Sequence, residues 1–126
     1  MYHVEITGKQ SYSFTVKAGD SEFSVDAKGK GFTPPDTLLA SLGSCIGVYI
    51  RKYFEGAKID LGEFKVIVEA ELTKEPPVAL REIKVSVDLR GANLEERRKK
   101  PLLDFLKNCP VSTTLKINPR VDINLV

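Results

Sequence analysis

The stretch "DTLLASLGSCIGVYIRKYFEG", residues 36–56, carries the clearest periodic pattern in the chain. Leu38, Leu39, Leu42, Cys45, Ile46, Tyr49, Ile50 and Tyr53 recur every three or four residues, the spacing of one helix face. A second stripe, Ala40, Gly43, Ser44 and Gly47, has almost no side-chain bulk. Glycine inside a helix costs about 1 kcal/mol relative to alanine, so a pair of them on one face points to close approach by another backbone. The pattern predicts a long central helix covered on both sides. Pro34-Pro35 lead into it, Asp36 or Thr37 caps it, and Gly56 ends it.

Upstream, the sequence reads as short strands joined by tight turns. "YHVEIT" is followed by a turn at Thr7-Gly8-Lys9, and "SYSFTVK" places Tyr12, Phe14 and Val16 on one face. After Gly19-Asp20, "EFSV" continues the alternation with Phe23 and Val25. Downstream come two longer alternating runs. Phe64, Val66, Val68, Ala70 and Leu72 share one face, as do Ile83, Val85, Val87 and Leu89. The intervening "KEPPVA" is too rich in proline for sheet and reads as a loop. A second helix is expected from Asn93, with Glu96 in a capping box and Pro101 splitting it in two. "KINPRVDINLV" alternates again and reads as a final strand. The class is α+β, with an antiparallel-rich sheet, a long buried helix and a shorter one.

Composition sets the outer limits. A chain of 126 residues reads as one domain, 1–126, and 42% hydrophobic with 29% charged residues is ordinary for a globular protein. Nineteen Lys and Arg against seventeen Asp and Glu leave a net charge of +2, which gives no support for nucleic acid or an anionic membrane as partner. The cluster "RRKK" at 97–100 follows two glutamates and reads as a solvated helix face. The N-terminus lacks a signal-peptide pattern and no apolar run has the length of a membrane span, so the expected compartment is a reducing cytoplasm.

The chemistry rests on Cys45 and Cys109, because cysteines in such a compartment are more often free or redox-active than statically bridged. Cys109 precedes Pro110, which favours the first position of a helix, so Cys109 is a candidate N-cap over "PVST". A thiolate there would face unpaired backbone N–H groups. Equally, the Cys-Pro step could simply end the preceding helix. Cys45 lies mid-helix, where its own backbone offers no free N–H; it reads either as a small core residue or as a nucleophile activated from elsewhere in the fold. No metal or cofactor is expected. A structural zinc wants four ligands, and two cysteines with His3 fall short. Gly29 and Gly31 lack the Lys-Ser/Thr of a phosphate loop.

Two motifs give the sequence a resemblance. "GFTPPDTLLASLGSC" followed by "KNCPVSTTL" resembles the OsmC/Ohr family of osmotically inducible and organic hydroperoxide resistance proteins, and the order of elements resembles it along nearly the whole chain. The resemblance implies an OsmC-like fold, with sheets wrapped around a central helix in a swapped homodimer whose two long helices meet at the smooth stripe. It also implies a peroxidase: Cys45 attacks a small-molecule hydroperoxide, Cys109 resolves the sulfenic acid, and an external dithiol reductant restores both thiols. Leu42, Ile46 and neighbouring aromatics would form an apolar wall for the alkyl chain. The family's usual glutamate position holds Pro35, with Asp36 one residue on as a substitute, an arrangement resembling the YhfA-type branch. No arginine precedes Arg51, which leaves Lys9 as the candidate replacement for the family's N-terminal arginine. The alternative is a non-enzymatic module of the same fold that binds a small hydrophobic ligand or senses oxidants.

Overall fold

The computed structural model describes residues 1–126, and they form two compact units, Met1–Ala40 and Ser41–Val126. In the first unit, β1 (Glu5–Gly8), β2 (Ser13–Ala18) and β3 (Ser21–Asp26) make an antiparallel meander in the order β1-β2-β3. Ala18 pairs with Ser21, so the β2–β3 turn consists of Gly19-Asp20. Gly19 adopts a φ of 59°, the left-handed backbone that such tight hairpins require. Phe14 faces Val25, while Val16 faces both Ile6 and Phe23, which gathers the apolar residues on one side of the meander. Tyr12 lies just before β2 and is exposed, with the Lys28 ammonium 4.5 Å from its ring centre.

Helix α1 spans Pro34–Ala57, and its residues as far as Ala40 count with the first unit. It starts three residues earlier than a cap at Asp36 would allow, because Thr33 is the cap. The Thr33 backbone N–H and hydroxyl both donate to Asp36 Oδ2, at 3.1 and 2.8 Å, and the Asp36 N–H donates back to Thr33 Oγ1 at 3.2 Å. This reciprocal pattern is a capping box with aspartate in the usual glutamate position, and the two prolines occupy the first turn, where a missing N–H costs little. At the far end Gly56 stays helical. Lys58, with a φ of 57°, makes the reversal instead.

The second unit packs around the rest of α1. Leu42, Ile46, Ile50 and Phe54, four residues apart, form its fully buried line and meet Leu102, Leu106 and Cys109 in one cluster. β4 (Lys65–Leu72) and β5 (Leu80–Asp88) form an antiparallel hairpin whose Val66, Val68, Ile83, Val85 and Val87 pack against that cluster. The two glycines of the smooth stripe are met from within the chain, while Ala40 and Ser44 are exposed. A Cβ on Gly43 would lie 3.0 Å from Val68 Cγ2, and one on Gly47 would lie 3.7 Å from Phe64. At these two glycines the close approach is made by the side chains of Val68 and Phe64.

Two further expectations change. Helix α2 (Glu96–Leu106) starts after Glu95 with no side-chain cap and runs unbroken through Pro101. Leu102 and Leu106, 4% and 8% exposed, anchor it to the core, and that burial outweighs the single backbone bond proline removes. Helix α3 (Pro110–Ile117) ends at Asn118, whose φ of 51° is left-handed. The anticipated last strand does not form: residues 119–126 have no strand pairing, and Val121, Ile123 and Leu125 are exposed. Their alternation is genuine, but a strand needs an edge to pair with, and this segment pairs with none in its own chain.

Candidate active site

Cys45 and Cys109 both lie in the second unit, and the fold brings them together. Cys45 sits half-buried on α1, packed against the cluster that contains Cys109; neither is in a disulfide. The Cys45 side chain lies close enough to Cys109 to bear on that thiol's ionisation. Cys109 is fully buried and is the N-cap of α3, with Pro110 in the first turn, as its sequence context suggested. Its Sγ accepts from the Ser112 N–H at 3.5 Å.

These contacts act on the Cys109 proton in opposing senses. Burial pushes the Cys109 thiol up from its ordinary value of 9.0, and the contact with Cys45 pushes it further; the Ser112 and Val111 amides pull the other way without prevailing. The helix N-terminus thus moderates the cost of burying this sulfur. A protonated Cys109 can donate its S–H to Cys45. Cys45 is the more exposed of the two sulfurs and Cys109 the shielded one.

The same unit carries a row of aromatic rings. Tyr49 lies one helical turn beyond Cys45, and Phe105 lies one turn before Cys109; their ring centres are 5.5 Å apart. Tyr53 extends the row, 5.9 Å from Phe105. All three rings are half-buried, so each presents some apolar surface to solvent. Leu42 and Ile46 do not line this surface. At 4% and 7% exposed, they lie in the core behind it. Lys52 places its ammonium 4.9 Å from the Tyr49 ring centre.

Asp36 and Lys9 belong to the first unit. The Asp36 carboxylate is engaged by its cap: the backbone and side-chain hydrogen bonds from Thr33 hold it below its ordinary value of 3.8. Lys9 is exposed in the turn after β1. Sequence reasoning missed Thr33, although Thr-x-x-Asp ahead of an apolar run was the available signal. It also missed Phe105, which its spacing of four residues from Cys109 could have flagged. No group of acidic, histidine or cysteine side chains is arranged to hold a metal ion.

With this geometry in place, comparison with known proteins is informative. A family model described as OsmC-like protein matches residues 27–124. The chain belongs to the OsmC-like family. Solved structures agree on the OsmC-like fold. An OsmC-like protein from Mycoplasma pneumoniae superposes with a TM-score of 0.83 at 23% identity, covering 92% of this chain and 87% of its own. The organic hydroperoxide resistance protein OhrB of Bacillus subtilis gives 0.68 at 15% identity, covering 94% and 92%. A further organic hydroperoxide resistance protein, from Elizabethkingia anophelis with thiocyanate bound, gives 0.70 at 19% identity, covering 94% and 89%. A comparison with curated protein sequences returned no match. No helix of this OsmC-like chain is long and apolar enough to cross a membrane.

Proposed function

We propose that this OsmC-like protein reduces hydroperoxides through Cys45, with Cys109 as the resolving thiol. The observation that supports this best is the contact between two reduced sulfurs, one half-exposed and one buried at a helix N-terminus. The Cys45 thiolate attacks a peroxide oxygen, the O–O bond breaks, and the departing oxygen leaves as an alcohol after taking a proton. Cys45 is then a sulfenic acid. Cys109 attacks that sulfur, its own proton leaves with the hydroxyl as water, and a disulfide joins the two. The amides of Val111 and Ser112 stabilise the negative charge that develops on Cys109 in this step. An external dithiol restores both thiols by exchange, which places the cycle in a reducing compartment such as the cytoplasm.

Lowering a thiol's pKa raises the thiolate fraction but weakens the nucleophile, so ionisation alone yields only a few-fold. The larger contribution comes from holding the substrate, and Tyr49, Tyr53 and Phe105 provide an apolar surface for an organic hydroperoxide. Asp36 supports the site by securing the start of the helix that carries Cys45. A homodimer belongs to the same proposal, supported by the exposed apolar alternation of Val121, Ile123 and Leu125, which lacks a partner strand in its own chain.

The test is steady-state consumption of cumene hydroperoxide with dithiothreitol as reductant. Turnover by the intact protein that disappears in Cys45→Ser supports the reading; equal slow rates for both remove it. A ligand-binding module is the second reading. It is favoured by the apolar concavity of about 330 Å³ in the first unit, lined by Ile6, Phe14, Val16, Phe23, Val25, Pro34 and Thr37. It predicts a saturable rise in Tm with a small apolar ligand and no turnover.

A further inference from the structure

We propose that joining the two sulfurs releases the cap of α3, so that the redox state of the pair sets how firmly α3 is held. The inference rests on the peroxidase reading and extends it from chemistry to conformation. The Cys109 sulfur has two roles at once: it accepts the Ser112 N–H at 3.5 Å, and it meets Cys45. Helix α3 has no fully buried residue of its own; within it only Val111 joins the margin of the core cluster. Eight residues are well below the dozen or so at which an isolated helix becomes even marginally stable. The anchor that holds α3 is therefore its cap residue, Cys109, with 0% of its surface exposed.

A disulfide changes that anchor in two ways. Forming the S–S bond draws Cys109 Sγ toward Cys45, out of the position from which it accepts the Ser112 N–H at 3.5 Å. A disulfide sulfur also carries neither an S–H proton nor thiolate charge, and accepts more weakly from the amide. The step balances as above: the hydroperoxide takes two electrons and leaves as alcohol, the S–OH and S–H bonds break, the S–S bond forms, and water departs. Reduction by a dithiol reverses it.

The experiment is amide hydrogen exchange on the full chain, reduced, after one equivalent of cumene hydroperoxide, and after diamide, a diazene that oxidises dithiols directly. Loss of an N-cap corresponds to about fivefold faster exchange. We expect that change across Val111–Asn118 in both oxidised samples, with α1 and α2 unchanged. Oxidised protein whose α3 amides exchange as slowly as in the reduced form overturns the proposal. So does acceleration in Cys45→Ser, where no such disulfide can form. If diamide forms the bond and hydroperoxide does not, the peroxidase reading fails while the α3 amides of the diamide sample still judge the cap. If neither oxidant forms it, both ideas fall.

Discussion

Gly43 and Gly47 stand one helical turn apart on the same face of α1, yet substitutions at them should shift stability in opposite directions. At Gly43 a Cβ would lie 3.0 Å from Val68 Cγ2, whereas packed carbons prefer about 3.5–4.0 Å. Gly43→Val adds two more methyl groups to that gap. Overpacking of this kind costs about 1–3 kcal/mol, and the better helix propensity of valine returns only a few tenths. At Gly47 a Cβ would meet the Phe64 ring at 3.7 Å, ordinary contact, so Gly47→Ala should gain up to about 1 kcal/mol. Urea unfolding at fixed protein concentration reads both as shifts in midpoint at constant slope. A double-mutant cycle checks the cause: Val68→Ala should recover about 1 kcal/mol or more of the Gly43→Val loss. If Gly43→Val is harmless, or its cost ignores Val68, strand β4 does not sit against this face as described.

Other outcomes follow from the same contacts. Thr33→Ala removes the cap of α1 and should destabilise the protein by about 1 kcal/mol in urea. Because Asp36 titrates below 3.8, its contribution is complete above that pH and fades as pH falls through the lowered value; an Asp36→Ala variant should lack that acid limb in thermal unfolding. Cys109 behaves in the opposite sense. Its thiol is raised above 9.0, so its contribution is complete below that pH and is lost as pH climbs through the raised value, and Cys109→Ala should show a shallower alkaline decline in Tm. Leu102→Ala, at 4% exposure in the core, should cost about 2–5 kcal/mol by denaturant midpoint. Phe105→Ala should raise KM for cumene hydroperoxide more than for hydrogen peroxide, since only the larger substrate uses the ring wall.

Much of the architecture was legible because it rests on periodicity. The spacing of Leu42, Ile46 and Ile50 located α1, and alternation from Val66 to Val87 located the hairpin that covers it. Boundaries were less legible, since they depend on which hydrogen bonds win. Thr33 took the cap from Asp36 by binding it reciprocally, and Lys58 took the reversal from Gly56. Pro101 misled because the burial of Leu102 and Leu106, a tertiary effect, carries α2 through it. The glycine stripe correctly announced a close neighbour, but a stripe cannot say whether strand or helix fills it. At the site, Cys-Pro offered the Cys109 cap as one of two equal readings, and the structure has the cap. The meeting of Cys109 with Cys45 is a long-range contact that neither local pattern contains.

The central claim is that these two sulfurs act as one two-electron centre. Titrating the fully reduced protein with cumene hydroperoxide, while counting thiols and mapping linked peptides, tests it most directly. The account predicts two thiols consumed per peroxide and a single cross-link between the peptides of Cys45 and Cys109. Thiols that survive excess peroxide, or are lost without that cross-link, would contradict it.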